Sequence, residues 1–210
     1  MDTLKASLTE VESQLSDELE RREKLLKESR DVISYCSRSI IDVHNGRRAE
    51  ALKELNSAKT RLESLRKSGV GSLSHYLISP ETEFVEASTV IGLTKGRPIP
   101  ARASLGVSPE AYLLGLLDTV GELKRLVLDS VMKGDIAAAK KHFESMELLY
   151  SSCSPLAVYD HVAPGTRRKV DVARMLVEDT RGVITEESRR ESLDSSMRAL
   201  EKRLDRRSRS

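Results

Sequence analysis

From Leu4 the apolar positions run Leu4, Leu8, Val11, Leu15 and Leu19, then Leu26, Ile33, Ile40 and Val43, and no Pro or Gly interrupts them before Gly46. Spacings of three, four and seven residues put these side chains on one face only if the chain is helical. The pattern predicts a helix over 1–46, about 60 Å long at roughly 1.5 Å per residue. Its first half has a narrow stripe in a strongly charged surround, which is the pattern of a coiled-coil seam more than of a core helix. Such a stripe needs a partner surface and argues for self-association.

The remainder of the chain continues in the same mode. Asn45-Gly46 closes the first helix, and a second is expected over 48–68 with Leu52, Leu55, Ala58, Leu62 and Leu65 inward. Ser68-Gly69-Val70-Gly71 breaks the chain, and a short helix covers Leu73 to Ile78. Ser79-Pro80 reads as an N-cap and first-turn proline for a third helix over 79–93, with Glu81 complementing the helix dipole. Residues 94–107 form a loop with Lys95, Arg97 and Arg102 and no acidic side chain. A fourth helix over 108–133 starts at Ser108-Pro109-Glu110 and is the most apolar, with Gly115 and Gly121 marking close approach of another backbone or a ligand. Asp135 caps a fifth helix over 135–150. A sixth spans 166–182, ended by Gly182, and a seventh spans 184–206, followed by the tail 208–210.

No segment reads as a strand. Aromatic residues are only 3% and Trp is absent, whereas a sheet sandwich wants aromatic and β-branched runs. The expectation is one all-α domain over 1–207, a seven-helix bundle. The net charge is only +2, so partner choice rests on how charge is distributed. No apolar run reaches the roughly 18–20 residues of a membrane span, and the charged first thirty residues are unlike a signal peptide. A soluble cytoplasmic protein with no membrane partner is expected. Cys36 and Cys153 sit in no metal-ligand spacing and read as buried reduced thiols.

The chemistry-bearing residues are carboxylates. Glu83 and Glu86 lie three apart beside Phe84 and Val85, and Asp118 and Glu122 lie one turn apart beside Leu117 and Leu123. Like charges one turn apart among apolar positions cost a few tenths of a kcal/mol, roughly the reverse of a favourable pair. A dication would remove that cost, and four hard oxygens suit Mg2+ or Mn2+ better than Zn2+. A ferritin-like di-iron site needs Glu-x-x-His, and none of His44, His75, His142 or His161 has Glu three residues before it. Hydrolytic or phosphoryl-transfer chemistry remains. Lys95, Arg97, Arg102 and the run Arg167-Arg168-Lys169 are the candidate contacts to a nucleic-acid backbone.

Ile78-Ser79-Pro80 followed by Glu83-Phe84-Val85-Glu86-Ala87, the block from Tyr112-Leu113-Leu114-Gly115 through Asp118 and Gly121-Glu122-Leu123 to Arg125, and Ser130-Val131 through Gly134-Asp135 resemble the translin/Trax family, Trax more than translin. The similarity covers about residues 25–190. It implies a seven-helix fold closing into an oligomeric barrel, a homo-octamer, that binds RNA, single-stranded or structured, or single-stranded DNA. In Trax-like members it implies a metal-dependent endoribonuclease. The Trax acidic set falls on Glu83, Glu86 and Asp118, with Glu122 as a further ligand. A loop 94–107 shorter than in Trax, and no basic nuclear-targeting stretch, fit a prokaryotic or archaeal relative that assembles with itself. The alternative is a non-catalytic translin-like scaffold that binds single-stranded RNA or DNA without turnover.

Overall fold

The computed structural model describes the backbone of residues 2–208 and the side chains of residues 2–205. Residues 209 and 210, the end of the expected tail, lie outside the described residues. Among those described, the secondary structure is helical, with no strand: α1 (Asp2–His44), α2 (Arg48–Ser68), a 3-10 segment (Gly71–Leu77), α3 (Ile78–Thr94), α4 (Arg102–Leu105), α5 (Pro109–Met132), α6 (Ile136–Cys153), a second 3-10 segment (Ser154–Tyr159) and α7 (Thr166–Ser208). No helix among the described residues is long and apolar enough to cross a membrane. The chain divides into two compact units, residues 1–116 and 117–210.

In the first unit α1 and α2 form an antiparallel hairpin. Gly46 turns the chain at φ 74°, with its N–H on the Val43 carbonyl and the Arg47 N–H on the Asp42 carbonyl, the paired bonds of a glycine C-cap. The buried face of α1 is Leu25, Val32, Cys36 and Ile40, so Leu26 and Ile33, expected inward, are half-buried instead. Ala51, Ala58, Leu62 and Leu65 of α2 are buried, and α3 packs along both helices. Every side chain from Asp2 to Lys24 is exposed.

α3 begins at Ile78, not Ser79. Leu77 is already helical at φ −80°, ψ −21°, so the 3-10 segment runs directly into the α-helix and no side chain caps it. Pro80 still falls in the first turn, where its missing N–H costs nothing. Phe84, Val85, Val90 and Ile91 are all buried, as their pattern required. The expected loop 94–107 contains the single turn α4. Ser108 caps α5, accepting from the Ala111 N–H at 3.2 Å.

In the second unit α6 packs on α7, and Asp135 caps α6 by accepting from the Ala138 N–H at 2.9 Å. Leu123, Val127, Met146, Leu149, Ala173 and Val177 are in its core. The expected break at Gly182 does not occur: α7 runs unbroken for 43 residues. Ala173, Val177, Thr180 and Ile184 are all buried, so one stripe continues across the glycine. A helical glycine costs only about 1 kcal/mol, which that burial outweighs.

Both cysteines are buried and free, as expected. Burial lifts the Cys153 thiol from 9.0 to about 11. In the folded chain it stays neutral where the unfolded thiol ionises, so its contribution is complete below pH 9 and lost as pH rises through 11. The loss is on the order of 2–3 kcal/mol by pH 11. Urea unfolding at pH 8 and pH 10.5 checks this. Cys153→Ala is expected to lose less stability than the parent across that interval, and an equal loss contradicts the assignment.

Candidate functional site

α3 sets its carboxylates to different tasks. Glu81 is buried and fully engaged: Oε1 accepts from Arg66 Nε at 2.9 Å and Oε2 from the Ser108 N–H at 2.8 Å. Glu83 and Glu86, the pair singled out from sequence, are half-buried. Across from them, on α1, lies Cys36, fully buried. Burial raises its thiol well above the ordinary range, and the Glu83 and Glu86 charges add to that rise. The negative field of both carboxylates therefore reaches the α1–α3 seam.

In the second unit Asp118 and Glu122 are half-buried on α5. Lys169, from the first turn of α7, places its ammonium on both oxygens of Asp118. This lysine was expected to face nucleic acid; the structure gives it to an acidic residue of the candidate metal set. Arg167 and Arg168 beside it are exposed, and the Arg167 backbone N–H is held by Asp160 Oδ1 at 2.9 Å.

The loop cations also differ from one another. Arg97 is exposed and Lys95, at the C-cap of α3, is half-buried. Arg102 turns back on its own loop, donating from Nη1 to the Val107 carbonyl at 2.9 Å. Gly115 meets the expected close approach, since a Cβ there would lie 2.5 Å from the Thr82 carbonyl oxygen. At Gly121 no other backbone comes close: an added Cβ would meet only Leu176 Cδ1, at 4.0 Å.

Among the described residues no group of three or more His, Cys, Asp or Glu side chains forms a ready set of metal ligands. The donor chemistry still fits a hard dication. Two carboxylates one turn apart, half-buried, whose charge is felt by a buried thiol, are an arrangement that a divalent cation stabilises. Sequence reasoning missed Cys36 as the neighbour of this pair and Arg66 as the partner of Glu81. No local signal joins residues 36 and 83, or 66 and 81, before the helices pack.

Residues 72–180 match the family model described as Translin family, just over half of the chain. The chain belongs to the Translin family. An uncharacterized protein of Methanocaldococcus jannaschii is 32% identical over 166 residues, covering 78% of this chain and 74% of that protein. Among solved structures, AfC3PO is similar at 29% identity and TM-score 0.79, covering 87% of this chain and 97% of its own. The AfC3PO–duplex RNA complex is similar at 29% identity and TM-score 0.80, with 87% and 96% covered. Apo-NeC3PO, at 21% identity and TM-score 0.76 over 86% of this chain and 96% of its own, shares the fold. In this Translin-family chain the matched segment contains Glu83, Glu86, Asp118, Glu122 and all six candidate cations.

Proposed function

We propose that this Translin-family chain is a Trax-like, Mg2+- or Mn2+-dependent endoribonuclease of the cytoplasm, which cleaves RNA inside a closed homo-octameric barrel. The observation that carries the reading is its likeness, over most of its length, to AfC3PO as solved with duplex RNA. The acidic set Glu83, Glu86 and Asp118 supports the step from binding to cleavage.

A Mg2+ or Mn2+ ion held by Glu83, Glu86, Asp118 and Glu122 would supply Lewis-acid charge at a phosphoryl oxygen and a water of lowered pKa. The chain's own part is placement. Phe84 and Val85, buried on the opposite side of α3, fix the direction in which Glu83 and Glu86 point. Lys169 orients the Asp118 carboxylate by bonding both its oxygens. Arg97, Arg167 and Arg168 are exposed and carry the phosphate contacts, whereas Arg102 is committed to its loop and Lys95 is half-buried. With few aromatics, recognition is of the backbone and of helical shape, so duplex or structured RNA is favoured over single-stranded DNA.

The test is cleavage of an end-labelled RNA duplex with Mn2+, with Mg2+ and with EDTA. Glu86→Gln and Asp118→Asn are each expected to slow cleavage by roughly two orders of magnitude while retaining RNA at low salt. Parental rates in both variants would show the site to be misassigned. Salt-sensitive RNA binding with no cleavage in either metal would make the chain a binding scaffold.

A further inference from the structure

Lys169 stands on a fixed base at the start of α7. Thr166, fully buried, donates from Oγ1 to the Ala163 carbonyl at 2.7 Å. The Arg167 N–H is held by Asp160 Oδ1 at 2.9 Å, and the Lys169 N–H by the Gly165 carbonyl at 3.0 Å. Val170, next along, is buried. With the backbone held on both sides, the part of Lys169 that can move is its flexible methylene stem and the ammonium at its end.

That ammonium lies on both oxygens of Asp118. It covers the positions from which the carboxylate would give both oxygens to another cation. Mg2+ needs carboxylate oxygen at roughly 2.0–2.1 Å. An ammonium and a dication on one carboxylate repel, and with the two side chains 33% and 29% exposed, water screens that repulsion only in part. Lys169 and a divalent cation therefore compete for Asp118.

The two partly buried pairs differ in how firmly the cation is held. Arg66 is fixed twice, by Nε on Glu81 at 2.9 Å and by Nη2 on the Leu105 carbonyl at 3.2 Å. Among the described residues Asp118 is the one partner of the Lys169 ammonium. A lysine is also a rotatable point charge and not a planar fork, so it gives up a carboxylate without losing a fixed geometry.

A displaced ammonium needs another anion. The nearby acids in the chain are engaged: Asp160 holds the Arg167 N–H, and Asp171 lies 3.6 Å from Arg174. Arg167 and Arg168, exposed and directly before Lys169, make this turn a run of cations. An RNA phosphate is the anion that such a run takes.

We infer that Lys169 has two positions: it holds Asp118 until a divalent cation takes that carboxylate, and then contacts an RNA phosphate beside Arg167 and Arg168. The inference rests on the metal-nuclease reading of the same site. It adds that metal and RNA strengthen each other's binding, since a coupling of this kind is reciprocal.

The test uses the full chain. Limiting acylation with an N-hydroxysuccinimide ester, read residue by residue by mass spectrometry, reports how free each ammonium is. Lys169 is expected to be protected in EDTA, to react several-fold faster with Mn2+, and to be protected again when duplex RNA is added with Mn2+. Lys140, 3.2 Å from Glu191 in the same unit, is the control and keeps its rate. Electron paramagnetic resonance counts bound Mn2+ before RNA is added. Bound Mn2+ with an unchanged Lys169 rate overturns the exchange and leaves the metal site standing; no bound Mn2+ overturns both. A Lys169 that stays reactive while RNA is retained on a filter overturns the phosphate contact. As a second readout, Lys169→Met is expected to bind Mn2+ roughly tenfold tighter, because a charge within about 4–6 Å shifts an ionic equilibrium by a power of ten or more. Lys169→Arg, which keeps the cation, should stay near the parent. Equal or weaker Mn2+ binding by Lys169→Met would make the lysine a support for Asp118 alone and overturn the exchange.

Discussion

Gly115→Ala is expected to destabilise the first unit by roughly 3 kcal/mol. A Cβ at this position would lie 2.5 Å from the Thr82 carbonyl oxygen and 2.7 Å from Val85 Cβ. Neither neighbour can yield cheaply, because one is helix backbone and the other belongs to a side chain buried completely. Relief requires residues 109–116 of α5 to move away from α3, at the cost of the packing around Ala111 and Val85. Urea unfolding measures the effect as a lowered midpoint with an unchanged slope. Gly182→Ala is the internal control. No atom lies within 4 Å of its added Cβ, and it sits inside α7, so it should stabilise by about 0.5–1 kcal/mol. A neutral Gly115→Ala would mean that the close approach is absent in solution.

Glu81→Ala should cost more, roughly 3–5 kcal/mol. Its side chain is 6% exposed and bridges three elements: Arg66 of α2, the Ser108 N–H at the start of α5, and its own helix α3. Truncation leaves the Arg66 guanidinium, itself only 25% exposed, without its carboxylate, and removes the acceptor of a half-buried N–H. Arg66 keeps one bond, to the Leu105 carbonyl at 3.2 Å, which does not neutralise it. Arg66→Met combined with Glu81→Leu removes both charges and is expected to recover part of the loss, since an apolar pair suits the same space. Thermal or urea unfolding of the four proteins closes the cycle. If the double variant is as unstable as Glu81→Ala, the cost lies in shape and not in an orphaned charge.

These two residues show what was and was not readable. Gly115 inside an apolar helix signalled a close approach, and the structure places the Thr82 carbonyl there. Gly121 carried the same signal and meets only the Leu176 side chain at ordinary distance, because a missing Cβ says that something can approach and not that it does. In the sequence Glu81 is a dipole-complementing charge at a helix start, and Glu83 and Glu86 are the pair beside the packing positions Phe84 and Val85. The first is in fact the most buried of the three, because α2 and the start of α5 both converge on that turn.

Helical class, the Gly46 and Asp135 ends and the apolar faces of α3 and α5 were legible because each depends on side chains within a few residues. A 3.6-residue period, a capping oxygen and a positive-φ glycine act locally. So did the family membership, carried by contiguous motifs between Ile78 and Asp135. The division of the six candidate cations was not legible: Lys169 goes to Asp118, Arg102 to a carbonyl of its own loop, and Arg97, Arg167 and Arg168 stay in solvent.

By itself, then, the amino-acid sequence determined the all-α class, most helix ends and the narrow apolar stripe at the start of α1, all consequences of periodicity and capping. Tertiary packing alone decided that α7 runs through Gly182, that Cys36 lies within the field of Glu83 and Glu86, and that Glu81 is a structural anchor between α2 and the start of α5. Those outcomes depend on which distant surfaces share a seam, and burial energy there exceeds the local preferences of any single residue.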